Sequence, residues 1–190
     1  MKYNCPEEIN MENQDFNECF KASENIDPTE MFENFKREAE EGFPPSQWAL
    51  GFCYKDGKGT PQDYIEAVKW FRLAAEWGYP DAQSALGEMY EMGHGLRQDY
   101  SKAIKWYRLS AAQGHAYAQC VLGLLYAHGK GVLKDNLVAY MWLNISSANG
   151  DESAGEMRDE LASKMTHGAI EKATIMAREC MDSNYKNCNF

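Results

Sequence analysis

No window of this 190-residue chain approaches the ~18 consecutive apolar residues of a membrane span. A basic excess is missing too. The formal net charge is −10, which leaves nucleic-acid binding without its usual electrostatic footing. Residues 1–42 carry 4 basic and 12 acidic side chains, residues 43–150 carry 10 and 9, and residues 151–190 carry 5 and 8. The acidity sits mostly at the front. It is compatible with a basic protein partner, and solubility alone would also account for it. The first 20 residues contain Glu7, Glu8, Glu12, Asp15 and Glu18 and no apolar run, so they do not read as a secretory signal. On this reading the chain is soluble and cytosolic. Its six cysteines (Cys5, Cys19, Cys53, Cys120, Cys180, Cys188) are then most simply reduced. Zinc spacing is absent around His94, His115, His128 and His167, and no Ser–Lys or Ser–His arrangement marks a nucleophile. No cofactor, no metal and no catalytic site are expected.

What the sequence does have is a repeat. Gly51, Gly87 and Gly123 lie 36 residues apart, as do Trp70, Trp106 and Trp142, and Asp63, Asp99 and Asp135. Three units, 43–78, 79–114 and 115–150, align without a gap, and ten of the 36 offsets are identical in all three. The shared set also includes Gln47/Gln83/Gln119, Leu50/Leu86/Leu122 and Tyr54/Tyr90/Tyr126. Gly57-Lys58-Gly59 could suggest a phosphate cradle. It recurs as Gly93-His94-Gly95 and Gly129-Lys130-Gly131, between helices each time, so it reads as a turn.

Each unit reads as two helices. In the second unit Pro80 suits a first helical position. Ala82, Leu86, Met89 and Tyr90 then make one face. Gly93 is free to end that helix with positive φ. Asp99 can cap the next helix, whose apolar side is Ala103, Ile104, Trp106, Tyr107 and Ala111, and Gly114 ends it. In the first unit Asp63 and Glu66 form a capping-box-like pair. Gly87, Ala85, Ala103 and Ala111 let the two helices approach closely. A lone helix pair cannot bury its apolar face, so the units must stack.

The pattern extends past the three units. Phe35, Ala39 and Gly42 match Phe71, Ala75 and Gly78, which makes residues 27–42 an N-terminal capping helix entered at Asp27-Pro28. Residues 1–26 read as an acidic segment, weakly ordered or a short helix. In residues 151–190, Ser153 and Glu156 can cap a helix running to about Lys164, and Thr166 starts another.

These units resemble the Sel-one-like repeat (SLR) family, relatives of tetratricopeptide repeats. The matching strings are Ala85-Leu86-Gly87-x-x-Tyr90-x-x-Gly93-x-Gly95, Asp99-Tyr100-x-x-Ala103-x-x-Trp106-Tyr107 and Ala111-Ala112-x-Gly114-x-Ala116-x-Ala118-Gln119. The stretch from Met157 to Thr166 is similar to the segment that often closes bacterial members. The resemblance implies an all-α, right-handed superhelix of three full repeats with helical caps at both ends. It also implies a non-catalytic adaptor that binds a protein or peptide on its concave face. An immunity role against a bacterial toxin is the alternative the family suggests. A secreted β-lactam-binding or hydrolysing role is a further one, although the cysteine framework of that subgroup is missing. Cysteine-rich secreted members join cysteines at the Cys180/Cys188 spacing; here only one such pair exists, and no export signal supports its oxidation.

Positions identical in all units serve the scaffold, and exposed positions that differ are free to specialise. By analogy with related repeats, the first helix of each pair lines the groove. Its open positions would be Trp48/Ser84/Cys120, Phe52/Glu88/Leu124 and Lys55/Glu91/Ala127, with Asp81 and Tyr117 at the helix starts. Trp48 and Phe52 are either groove anchors or the floor beneath helix 28–41. Glu88 and Glu91 are either a site for a basic partner or a solvated face. Cys120 reads more simply as a small packed residue.

Overall fold

The computed structural model describes residues 27–186 and 188. Among them are nine helices and no strand: α1 (Pro28–Glu40), α2 (Pro44–Asp56), α3 (Tyr64–Glu76), α4 (Pro80–Met92), α5 (Tyr100–Ala111), α6 (Ala116–His128), α7 (Asn136–Ala148), α8 (Glu152–Ala162) and α9 (His167–Asp182). The starts of α2, α4, α6 and α8 fall 36 residues apart, as do those of α1, α3, α5 and α7. The chain is therefore a continuous all-α solenoid. It begins on a second helix (α1), runs through three full pairs, and closes on α8 and α9.

Aspartate starts most of the second helices. Asp63 accepts from the Ile65 and Glu66 amides at 2.9 and 3.1 Å, and Asp99 from Lys102 at 3.0 Å. Asp135 does the same for Leu137 and Val138, supplying acceptors to otherwise unpaired N–H groups. Glu66 does not complete a capping box. The Asp63 N–H it would accept from donates instead to the Tyr54 carbonyl at 2.9 Å. Asp99 to Tyr90 and Asp135 to Tyr126 repeat that bond at 2.9 and 3.0 Å. It ties the end of each first helix to the start of its second. At the C-terminal end, α8 is capped by Asp151 rather than Ser153, whose hydroxyl donates to Asp151 at 2.6 Å. The α8 helix also stops at Ala162, short of Lys164, where the Lys164 amide turns back to the Leu161 carbonyl. Thr166 caps α9.

The two glycines of each turn do different jobs. Gly57, Gly93 and Gly129 end the first helices in the left-handed region, at φ 70, 74 and 70°. The second glycine is pressed against the preceding repeat: a Cβ on Gly95 would collide with the Tyr64 carbonyl at the start of α3, and one on Gly59 with the Pro28 carbonyl of α1. Within each pair the contact is also glycine-dependent. A Cβ on Gly51 would lie 2.6 Å from the Phe71 ring, and one on Gly87 3.0 Å from Tyr107. At Gly123 it would lie 2.7 Å from Leu143. Phe71, Tyr107 and Leu143 occupy one offset, so a bulky side chain from the second helix fills a slot that only glycine leaves open.

Successive pairs are joined by a buried glutamine. Gln47, Gln83 and Gln119 donate from Nε2 to the carbonyls of Ala39, Ala75 and Ala111 at 3.2, 3.3 and 3.0 Å. The Oε1 atoms need donors as well. Gln113 supplies one to Gln83 at 2.9 Å, and Asn149 one to Gln119 at 2.8 Å. The corresponding residue for Gln47 is Trp77, which is 74% exposed, and Gln47 Oε1 is left buried without a donor. The ladder ends at Tyr185, whose hydroxyl bonds the Asn149 amide at 2.9 and 3.1 Å.

The expectation of reduced cysteines is corrected for one pair, while Cys5 and Cys19 lie outside the described residues, as does the whole acidic segment 1–26. Cys180 at the end of α9 is disulfide-bonded to Cys188, with Cα atoms 4.9 Å apart. Asn184 and Tyr185, at φ 53 and 61°, turn the chain back to make this pairing possible. Sequence spacing carries no information about that turn. Cys53 and Cys120 are free and buried.

Two outcomes check this account. Replacing Trp77 with Gln should supply the missing donor and raise the unfolding free energy by about 1 kcal/mol in urea titration. Gly93→Ala should cost about 1–2 kcal/mol for its positive φ, and Gly95→Ala clearly more, because its Cβ also meets backbone. Equal losses at the two glycines would refute the close-approach explanation.

Candidate functional site

The first helices α2, α4 and α6 lie side by side, and their side chains meet across the repeat boundaries. Lys55 on α2 binds both Glu88 oxygens on α4, at 2.8 and 3.0 Å. Its ammonium also sits 5.0 Å from the Phe52 ring centroid, a cation–π position. Glu91, one turn beyond Glu88, accepts from the Tyr107 hydroxyl at 3.0 Å. Burial first, then the Glu91 charge, pushes the Tyr107 phenol well above its usual range.

Tyr117 at the start of α6 completes this group. It is 52% exposed. Partial shielding from water, followed by the Glu88 and Glu91 carboxylates, pushes its phenol up to about 12. Asp81 lies beside it through His115, whose Nε2 is 3.3 Å from Asp81 Oδ1. His115 Nδ1 accepts the Ala118 amide at 3.2 Å. That leaves the ring proton on Nε2, facing Asp81.

Trp48 and Phe52 divide their surface between two roles. Their rings meet edge-on at 5.1 Å; Phe52 also rests on Phe71 at 5.2 Å and Trp48 on Tyr79 at 5.9 Å. Both pack against the cluster containing Phe32 and Ala39 of α1, and both are half-buried. They are the floor of the first repeat, with part of each side chain still reaching the surface.

Of the remaining candidates Ser84 is closed, Cys120 is packed, and Leu124 is half-buried. Ser84 is 3% exposed, because the helix pairs pack around it too tightly to admit solvent. Cys120 is 6% exposed and its sulfur lies 4.0 Å from Met157 of α8. Burial, and then Asp151, pushes its thiol up to about 12. Leu124 packs on the cluster of Cys120, Leu143 and Ala154, together with Leu161. The α8 helix covers Cys120 in the third repeat and leaves Tyr117 and part of Leu124 at the surface.

Sequence reasoning missed the reach of Tyr107 and the cover provided by α8. Tyr107 reads correctly as core from its spacing, but its hydroxyl crosses to the neighbouring helix. The register of α8, 36 residues after α6, was the available signal for the second.

Tandem helix pairs with a shared core and a row of first-helix side chains define an all-α repeat solenoid. The Sel1 repeat model matches residues 44–79, 80–115 and 116–151, and the chain belongs to the Sel1 repeat family. Among solved structures, the chain is 32% identical to a protective antigen present in uropathogenic Escherichia coli strains that displays an SLR fold. That match has a TM-score of 0.69 and covers 83% of this chain and 33% of the antigen. This chain therefore spans about a third of the antigen's length. It is 37% identical to a Sel1 repeat protein from Oxalobacter formigenes, with a TM-score of 0.61, over 67% of this chain and 96% of that one. No curated protein matches the chain. Sel1 repeat proteins generally mediate contacts between proteins and are typically non-catalytic. Among the described residues no helix is long and apolar enough to cross a membrane, and no three His, Cys, Asp or Glu side chains converge as metal ligands.

The buried thiols give a direct check on the packing. Cys53 is fully buried and its thiol is pushed up to about 12 by that burial. Below that pH the reactive thiolate is scarce. Iodoacetamide at pH 8 should leave Cys53 and Cys120 unmodified in the native protein and label both in urea, as read by peptide mass spectrometry. Rapid native labelling of Cys120 would mean that α8 does not cover it.

Proposed function

We propose that this chain is a non-catalytic adaptor that binds a protein partner on its concave first-helix face, from repeat 1 to the start of repeat 3. The observation that carries this reading is the acidic row of Glu88 and Glu91, bounded by half-exposed Tyr117 at one end and the Trp48–Phe52 pair at the other. Aromatic side chains around a small charged centre are the composition of an interaction hot spot. The partner presents Lys or Arg to this row. Its basic group competes with Lys55 for Glu88, so binding exchanges an internal ion pair for an external one. Glu91 is held in place by Tyr107 and is presented without rearrangement, which lowers the cost of ordering on association.

Glu88→Lys with Glu91→Lys should weaken partner binding by roughly 2 kcal/mol or more. It should also flatten the dependence of affinity on salt. Isothermal titration at two ionic strengths measures both effects. Unchanged affinity and unchanged salt dependence would remove the acidic row from the site. Trp48→Ala with Phe52→Ala serves a different purpose: loss of thermal stability is expected as well as loss of affinity, since both rings pack on the α1 cluster.

A further inference from the structure

The outward stripe of the second helices changes character along the chain. Its three positions read Lys69 and Leu73 on α3 with Trp77 just past its end, then Lys105 and Leu109 on α5 with Gln113 past its end, then Met141 and Ile145 on α7 with Asn149 past its end. On α7 the stripe is covered. Met141 and Ile145 are both fully buried, in a cluster that α9 joins through Met176, Ala177 and Cys180. Asn149 is bonded to Tyr185, whose ring lies over Gly114. On α3 and α5 the same positions are open: Leu73 is 43% exposed, Leu109 50% and Trp77 74%.

Trp77 is the informative residue. The repeat calls for an amide donor at this offset, and Trp77 leaves Gln47 Oε1, on a residue only 4% exposed, without one. A scaffold-only requirement would favour Gln or Asn here, as in the next two repeats. A large exposed indole in place of a needed hydrogen bond breaks a local rule without any internal gain, and such departures mark function. Around Leu73, Trp77 and Leu109 stand exposed Lys69, Arg72 and Lys105 and the exposed carboxylate of Glu76, with Lys69 paired to Glu66 of its own helix, so the surround is basic on balance. In the covered repeat, Met141 and Asn144 stand at the corresponding positions. The covered stripe is thus neutral and meets this chain's own helix, whereas the open one is apolar with a basic border.

We propose that the outer face of α3 and α5, centred on Leu73, Trp77 and Leu109, docks an amphipathic helix of a partner protein with acidic flanks, seated as α9 is seated on α7. This surface is separate from the first-helix groove and goes beyond the adaptor reading of that groove. The indole anchors the helix, the two leucines take its apolar i, i+4 positions, and the basic border selects its flanks.

The probe is a display library of single helices randomised on one face, selected against the full chain. Enriched helices should carry Leu, Ile, Met or Phe at i, i+4 spacing with Asp or Glu beside them. Their affinity should fall roughly tenfold or more with Leu109→Asp or with Trp77→Gln. The second variant repairs the glutamine ladder, so its loss of binding cannot be attributed to unfolding. Glu88→Lys with Glu91→Lys should leave these helices bound, which keeps this surface distinguishable from the groove. The proposal is overturned if selection yields no helix, if the binders ignore both outer-face variants, or if acidic flanks are not enriched. It is also overturned if phosphatidylglycerol vesicles, rather than helices, sediment the protein in a Trp77-dependent way.

Discussion

The joints that lead into α2, α4 and α6 each close on a buried glutamine amide. Carbonyls near the end of a helix have no partner within the helix, and a buried polar group without a partner is costly. Gln47, Gln83 and Gln119 add a second donor to the carbonyls of Ala39, Ala75 and Ala111, which also accept from the Gly42, Gly78 and Gly114 amides. In doing so they create a demand of their own, because each Oε1 is then buried too. The answer lies 30 residues downstream, at the end of the following second helix, where Gln113 and Asn149 reach back. One side chain thereby holds three consecutive helix ends in register. The glycine slots for Phe71, Tyr107 and Leu143 then set how closely each pair packs.

This dependence on a downstream donor explains both ends of the molecule. At the C-terminal end, Asn149 would have no following repeat to lean on, and Tyr185 occupies its open side. The Cys180–Cys188 bond encloses the turn that carries Tyr185. The same segment brings α9 across Met141 and Ile145, so a single closing element caps the polar ladder and the apolar stripe. At the N-terminal end, α1 supplies the carbonyl for Gln47 and the floor for Phe52, but the downstream donor is missing because position 77 holds tryptophan. The scaffold is complete at one end and carries a deliberate gap at the other.

Much of this was legible because a repeat prints its own comparison. Gly51, Leu50, Gln47 and Asp63 recur at fixed offsets, and all are positions where burial, close approach or capping leaves one workable residue. The candidate site was less legible for a physical reason. Whether a first-helix position is open depends on what lies across from it, and that is set by the cap. Cys120 and Leu124 align with Trp48 and Phe52 in the repeat, yet they lie under α8, whose sequence departs from the repeat although its start keeps the register. Ser84 is buried as well. Lys55 and Glu88 read as independent variable positions, whereas the structure joins them. The disulfide depended on two residues with positive φ, neither of them glycine, which spacing cannot reveal.

The inner and outer faces differ in what a partner must displace. On the inner face Glu88 is already satisfied by Lys55 and Glu91 by Tyr107, so a basic partner gains only the difference between two similar interactions. Such a surface discriminates between partners more than it adds raw affinity. The apolar centre of the outer stripe on α3 and α5 has no such internal competitor. Leu73, Leu109 and Trp77 meet solvent, and covering these apolar side chains releases water; Lys69 beside them has an internal partner, Glu66. On the proposed reading, the first-helix row selects a partner and the second-helix row holds one. The repeat makes this division possible, because the scaffold residues occupy the buried offsets and leave both outward rows free to vary.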